Sequence, residues 1–513
     1  MKVSNKFIGC FGILAIAAST VGCSSSDNNE NNGGSGETVA YKWSTDQGLK
    51  ACDHLLFSAD GKDDPNGKVI GNGDQGFVFT GNQTLKKGTY ELRGWVYIAD
   101  GATLTIEPGT IIKGDKQTKA ALIAEPGGKL YAQGTATEPI VFTSEQAAGS
   151  RKPGDWGGII LCGKAPNNNG VMQQQIEGGP RTKHGGTDAN DNSGALEYVR
   201  IEFAGYPFEK DKEINGLTLG SIGAGTKIDH VQVSYSNDDS FEWFGGTVNC
   251  KYLIAFKGWD DDFDTDNGFS GKVQFGLSLR DSRIADVSQS NGFESDNNAG
   301  GTAAEPFTTA TFSNMTFLGP KTFDANFKND ASYITGDKMN PVNGSSLGLF
   351  QAAMHIRRNS RLNCYNSVAV GWPVGLILDN QKGDTQGNAT KGLLKLNRIV
   401  FAGMDIVGSD FNKVYKDNLY DYTSGKVDDT KPSFSSTFFK EAANQNKIFD
   451  DWAAMQLSNL ASIIAAATKD ASITASFDGL QGFDVVNYVG CFSGSGDTWA
   501  QGWTEFDPEN AAY

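Results

Sequence analysis

Between Ala195 and Asn297 the chain is written as a series of short apolar segments, and no helical periodicity links them. Tyr198–Phe203, Leu217–Leu219, Ile228–Val233, Thr247–Asn249, Tyr252–Phe256 and Val273–Leu279 are separated by turns rich in Gly, Asn and Asp. That is the punctuation of strands. Acidic turns recur with them: Asn237-Asp238-Asp239-Ser240-Phe241, then Asp261-Asp262-Phe263-Asp264, then Asn291-Gly292-Phe293-Glu294-Ser295-Asp296. The first two lie about 23 residues apart and the third about 30 further on. A repeat of that size, made of short strands alone, predicts an all-β solenoid of parallel β-helix type, closed by N- and C-terminal caps.

Strands in neighbouring coils lie about 4.8 Å apart, so residues one repeat apart in sequence become neighbours on one face. The recurring acids therefore predict a carboxylate patch spread over several coils. Like charges stacked at that spacing call for a cation, basic partners or raised pKa values. A hard oxygen-seeking ion suits such a patch, and Asp238, Asp239, Asp261, Asp262 and Asp264 are the expected Ca²⁺ ligands, with Ca²⁺ the one cofactor the sequence suggests. Around them Glu242, Trp243, Trp259, Asp266, Glu294 and Asp296 form the expected ligand-binding surface, the two Trp being the better candidates for exposed rings. The competing reading makes the same acids solvated turn residues that cap backbone N–H groups at coil corners. Asp188 to Gly194 also alternates oxygen ligands, but Ser193 and Val199 stand where a calcium loop needs Gly and Glu.

The chain opens with Lys2 and Lys6, then an apolar run from Phe7 to Ala18 that is too short for a membrane span. Residues 1–22 resemble a bacterial lipoprotein signal, with Thr20-Val21-Gly22-Cys23 in the place of the lipobox, although Thr20 stands where an aliphatic residue is usual. The resemblance implies that Cys23 carries the lipid that anchors the protein. Residues 23–40 are expected to form a flexible polar tether, and its Ser-Asp-rich start resembles a surface-export signal of Bacteroidota lipoproteins. A formal net charge of −16 argues against nucleic acid as a partner.

Residues 41–89 are expected to form the N-terminal cap, and 90–404 the β-helix. Glu107-Pro108-Gly109 and Glu125-Pro126-Gly127, 18 residues apart, mark equivalent corners. Insertions are expected near 164–194 and 298–347. Residues 405–480 change character and contain the one substantial helix anticipated, Phe449 to Thr468, as a lateral cover or part of a cap. Residues 481–513, rich in Trp and Phe, are expected to seal the last coil. Beyond Cys10 and Cys23, five widely spaced Cys remain without a CxxC pair, and they are expected to serve as buried small hydrophobes.

The segments GDWGGIILCGKAP, ALEYVRIEFAG, INGLTLGSIGAGTKIDHVQVSYSNDDSFEWFGGTVN, DDDFDTDNGFSG and GWTEFDP resemble a family of Bacteroidota cell-envelope β-helix lipoproteins, over roughly Tyr90 to the C-terminus. The resemblance implies a right-handed parallel β-helix and an outer-membrane location facing the cell exterior. It implies no reaction. Three functions stay open: capture of a glycan or other ligand, with delivery to a TonB-dependent transporter; an enzyme on acidic polysaccharides; and a structural or adhesive spacer. A lyase would pair Ca²⁺ with Arg357 or Arg358 as base, and a hydrolase would oppose Asp238/Asp239 to Asp261/Asp262. The sequence leaves catalysis undecided and leans away from it.

Overall fold

The computed structural model describes residues 51–209, 212–452, 474–494 and 496–513. The fold is a parallel β-helix. Twelve strands form one sheet in strict chain order, from Ala51–Cys52 to Ile406–Ser409. Each pairs in parallel with the strand of the next coil, which is how a solenoid satisfies its backbone groups without local hairpins. A second sheet of 18 strands makes the remaining walls.

The repeat seen in the sequence is the register of the first sheet. Phe77, Val96, Leu122, Ile159, Leu217, Phe241, Phe263, Phe293, Met354 and Leu376 are Cα partners in succession, and all are buried. Phe241 stacks on Phe263 with ring centroids 5.5 Å apart. Trp243 joins this interior stack, 5.3 Å from Phe269. Trp243 and Trp259 are both fully buried, against the expectation that they offer exposed rings. The reason is alternation: Trp243 shares its strand face with Phe241, two residues away, and that face is the core.

In the second sheet the long strands Gly194–Glu202, Lys227–Ser234, Cys250–Phe256, Lys272–Leu279 and Thr311–Leu318 each bend at one residue of left-handed φ. These residues are Tyr198, His230, Tyr252, Phe275 and Asn314, with φ between 49° and 62°. Such φ values disfavour L-residues, and lateral packing repays the strain. Tyr198, His230 and Tyr252 stack at 4.3 and 4.4 Å, and Phe275 follows at 5.0 Å.

The C-terminal segment covers this aromatic ladder. Trp503 meets His230 edge-on at 5.5 Å, and Trp499 lies 5.3 Å from Tyr252. Backbone groups of the segment bond to coil side chains on the way: Ser476 with Asn366, Asp484 with Gln274, Glu505 with Gln232, and Pro508 with Arg151. Residues 481–513 thus run back along the flank and do not seal the last coil. The end is closed by a short helix, Phe434–Phe439, whose Phe439 stacks on Phe401 at 4.0 Å, and by Lys447–Phe449, paired to Val400–Ala402.

Two further boundaries move. Coil pairing already includes Ala51–Cys52 and Phe77–Phe79, so most of the expected N-terminal cap belongs to the stack, with an antiparallel pair, Leu56–Phe57 and Val69–Ile70, beside them. Thr311–Leu318, inside the expected second insertion, is a coil strand paired to Lys272–Leu279. The anticipated helix from Phe449 falls mainly on residues 453–473, which lie outside the described residues, and Phe449 itself ends a strand.

Candidate functional site

Outward on the twelve-stranded sheet, a second register column runs Tyr97, Ile123, Ile160, Thr218, Glu242, Asp264, Glu294, His355, Ile377. It is apolar or neutral at both ends and ionisable on four consecutive rungs. Glu242, Asp264 and Glu294 are therefore strand residues set directly opposite one another, a placement that turn chemistry does not require. They are also recessed: Glu242 is 7% exposed and Glu294 9%.

Asp239 and Asp261 stand at the corner before these strands. Asp239 Oδ1 accepts the N–H of Asp261 at 2.8 Å, and Asp261 Oδ1 accepts the N–H of Asn291. One oxygen of each is thus engaged in the corner capping that the competing reading anticipates. The carboxylates still converge. Asp239, Glu242 and Asp264 bring oxygens within 4.8 Å of one another, and so do Asp238, Asp239 and Asp260.

Asp262 is not brought into this group. Its Oδ1 accepts from Arg280 Nη1 at 2.8 Å, its other oxygen from Ser278, and both ionic partners are fully buried. A ligand role for Asp262 is corrected accordingly, because Arg280 already neutralises it. Glu294 and Asp296 close the far end of the group with Arg357, and Asp296 also pairs with Arg358 at 2.7 Å. Asp266 lies on the next outward position beyond Asp264, its Oδ1 on the N–H of Asn267.

Burial, with repulsion from neighbouring carboxylates second, pushes Asp238, Asp239, Glu242, Asp260, Asp261 and Asp264 well above the usual carboxylate range. The same causes raise Asp266 to about 7. Glu294 moves the other way. Burial opposes it, but Arg357 and His355 bring it down to about 2.

Besides Asp264 Oδ1, two buried oxygens at the group lack hydrogen-bond partners among the described residues. Asp260 is 8% exposed, and its Oδ1 accepts no hydrogen bond. Asn215 is 1% exposed, its amide nitrogen donates to Glu242, and its Oδ1 is unpartnered. Neither residue was singled out from the sequence. Asp260 extends the run Asp260-Asp261-Asp262 and was accessible there, whereas Asn215 carries no pattern. Oxygens of this kind, converging and short of donors, fit a hard divalent cation.

A family model described as the pectate-lyase-like β-helix domain matches residues 76–457. The chain belongs to this family. The match spans the acidic column from Glu242 to His355, so the column is set on the family's own coils. A solved structure of the Dettilon tailspike protein is similar at 12% identity and a TM-score of 0.23, over 65% of this chain and 61% of that one. No curated protein matches.

Proposed function

We propose that this family member is a glycan-binding β-helix whose acidic column holds Ca²⁺, the ion bridging protein carboxylates to oxygens of the bound sugar. The observation that carries the reading is the convergence of Asp239, Glu242 and Asp264, whose carboxylate oxygens lie within 4.8 Å of one another. A cation would remove their mutual repulsion, and the guanidinium groups of Arg357 and Arg358 at the far end of the column suit an acidic sugar. The lipid on Cys23 would hold the β-helix to the outer membrane, facing outward, with a TonB-dependent transporter as recipient of the glycan. Among the described residues no helix is long and apolar enough to cross a membrane.

Hydrolysis is the second reading, favoured by one observation. Asp264 and Glu294 are Cα partners whose pKa values are pushed in opposite directions, as a general acid and an ionised carboxylate require. Elimination with Arg357 as base is disfavoured, since its ion pairs with Glu294 and Asp296 hold the guanidinium charged.

The test is a glycan array probed with the purified protein in Ca²⁺ and in chelator, followed by incubation of each retained glycan and analysis of chain length. Ca²⁺-dependent retention of intact acidic glycans supports binding. Shortened products lost in Asp264→Asn support hydrolysis, and no retention with no cleavage overturns both.

A further inference from the structure

Four of the five described cysteines are buried: Cys162, Cys250, Cys364 and Cys491. Cys52 is the partly exposed one. His54, with a side chain 37% exposed, is also the most accessible of the four His, since His184 and His355 are buried and the His230 side chain is 12% exposed. These two residues meet on the first strand of the stack. Cys52 Sγ lies 3.1 Å from His54 Nδ1 and 3.3 Å from Nε2, and Asp53 Oδ1 lies 3.4 Å from Nδ1. The far side of the ring is held as well, because His54 Nε2 lies 2.9 Å from Asp63 Oδ1.

We infer that Cys52, Asp53 and His54 form a site for a borderline-soft divalent metal of the Zn²⁺ class, with Asp63 as positioning residue. The chemistry follows from which nitrogen carries the proton. A hydrogen bond from Nε2–H to Asp63 fixes the tautomer and leaves the Nδ1 lone pair free for a metal, onto which Cys52 Sγ, now beside both ring nitrogens, turns by a side-chain rotation. Thiolate, imidazole and carboxylate together suit Zn²⁺ and not Ca²⁺, which takes oxygen ligands alone. Tetrahedral Zn²⁺ with ordinary bond lengths separates a ligating S from a ligating N by about 3.6 Å. The observed 3.1 Å therefore opens by a few tenths of an ångström on binding, within the reach of side chains at an exposed strand edge. Three protein ligands leave a fourth position to water or an external group, and binding releases the thiol proton.

Phe57 packs against the His54 ring at 5.4 Å, the Cys52 carbonyl accepts the N–H of Thr80, and the strand Ala51–Cys52 pairs with Phe77–Phe79 of the next coil. The ligands are thus mounted on paired backbone.

Co²⁺, which takes the same ligands and absorbs visibly, is the probe. The full chain is titrated with Co²⁺ and then with Zn²⁺, alongside Cys52→Ser, Asp63→Asn and Cys23→Ala. The expected result is a thiolate-to-metal charge-transfer band at one equivalent, abolished by Zn²⁺, absent in Cys52→Ser and kept in Cys23→Ala. Asp63→Asn should weaken affinity roughly 10–100-fold while keeping the band. Absence of the band in the unmodified chain, or its survival in Cys52→Ser, overturns the assignment. Thermal melting without metal, equal in all four proteins, shows that lost binding is not lost folding.

Discussion

Glu242 and Asp264 are Cα partners on adjacent parallel strands, and both side chains point to the same recessed face. Two ionised carboxylates so placed repel each other, and Glu294 opposes Asp264 from the other side. A like-charge pair directly across a sheet destabilises it by up to about 1 kcal/mol. Without cation at pH 8, Asp264→Asn should therefore raise the unfolding free energy by about 1 kcal/mol. Urea unfolding followed by fluorescence measures this. A loss of stability from that substitution would show that Asp264 has a compensating partner.

The same acids set a pH dependence. Their folded pKa values lie above the unfolded ones, so the folded protein binds more protons than the unfolded chain between the two. Stability then falls as pH rises through that window. For Asp266 the window runs from the unfolded value of 3.8 to about 7. The melting temperature in chelator should rise when pH is lowered from 8 to 5. Ca²⁺ should flatten that slope, and melting curves at several pH values with and without the ion check it.

The C-terminal segment should contribute to folding out of proportion to its regular structure. Trp503 is fully buried, edge-on to Tyr198 and His230. Trp503→Ala should cost about 3–5 kcal/mol. Gln232→Ala, which removes both bonds to Glu505, should cost about 1–3 kcal/mol. Chemical denaturation of the two variants measures both.

Anchoring should depend on Cys23 alone. Cys23→Ala is expected to yield folded protein in the soluble fraction, because the proposed lipid on that residue would supply the membrane affinity. Membrane fractionation and circular dichroism check it, and unchanged fractionation would refute lipid anchoring.

The coil repeat was legible because Phe241, Phe263 and Phe293 share one register, and register is what a repeat in sequence records. The burial of Trp243 was legible too, since it alternates with Glu242 exactly as Phe241 does; counting the period from Phe241 places it inside. Other features depend on distant pairs. Asp262 looked like its neighbours until Arg280, 18 residues on, claimed it. Gln232 and Gln274 hold a segment more than two hundred residues away, and nothing in their local sequence marks them as docking points.

The central claim is that the acidic column holds a cation, and calorimetric titration of Ca²⁺ into the chelator-treated protein tests it most directly. The account predicts saturable binding, a melting temperature that rises in millimolar Ca²⁺, and loss of both in Glu242→Gln/Asp264→Asn but not in Asp188→Asn. No heat and no shift in the unmodified protein, or an unchanged response in the double variant, would contradict it.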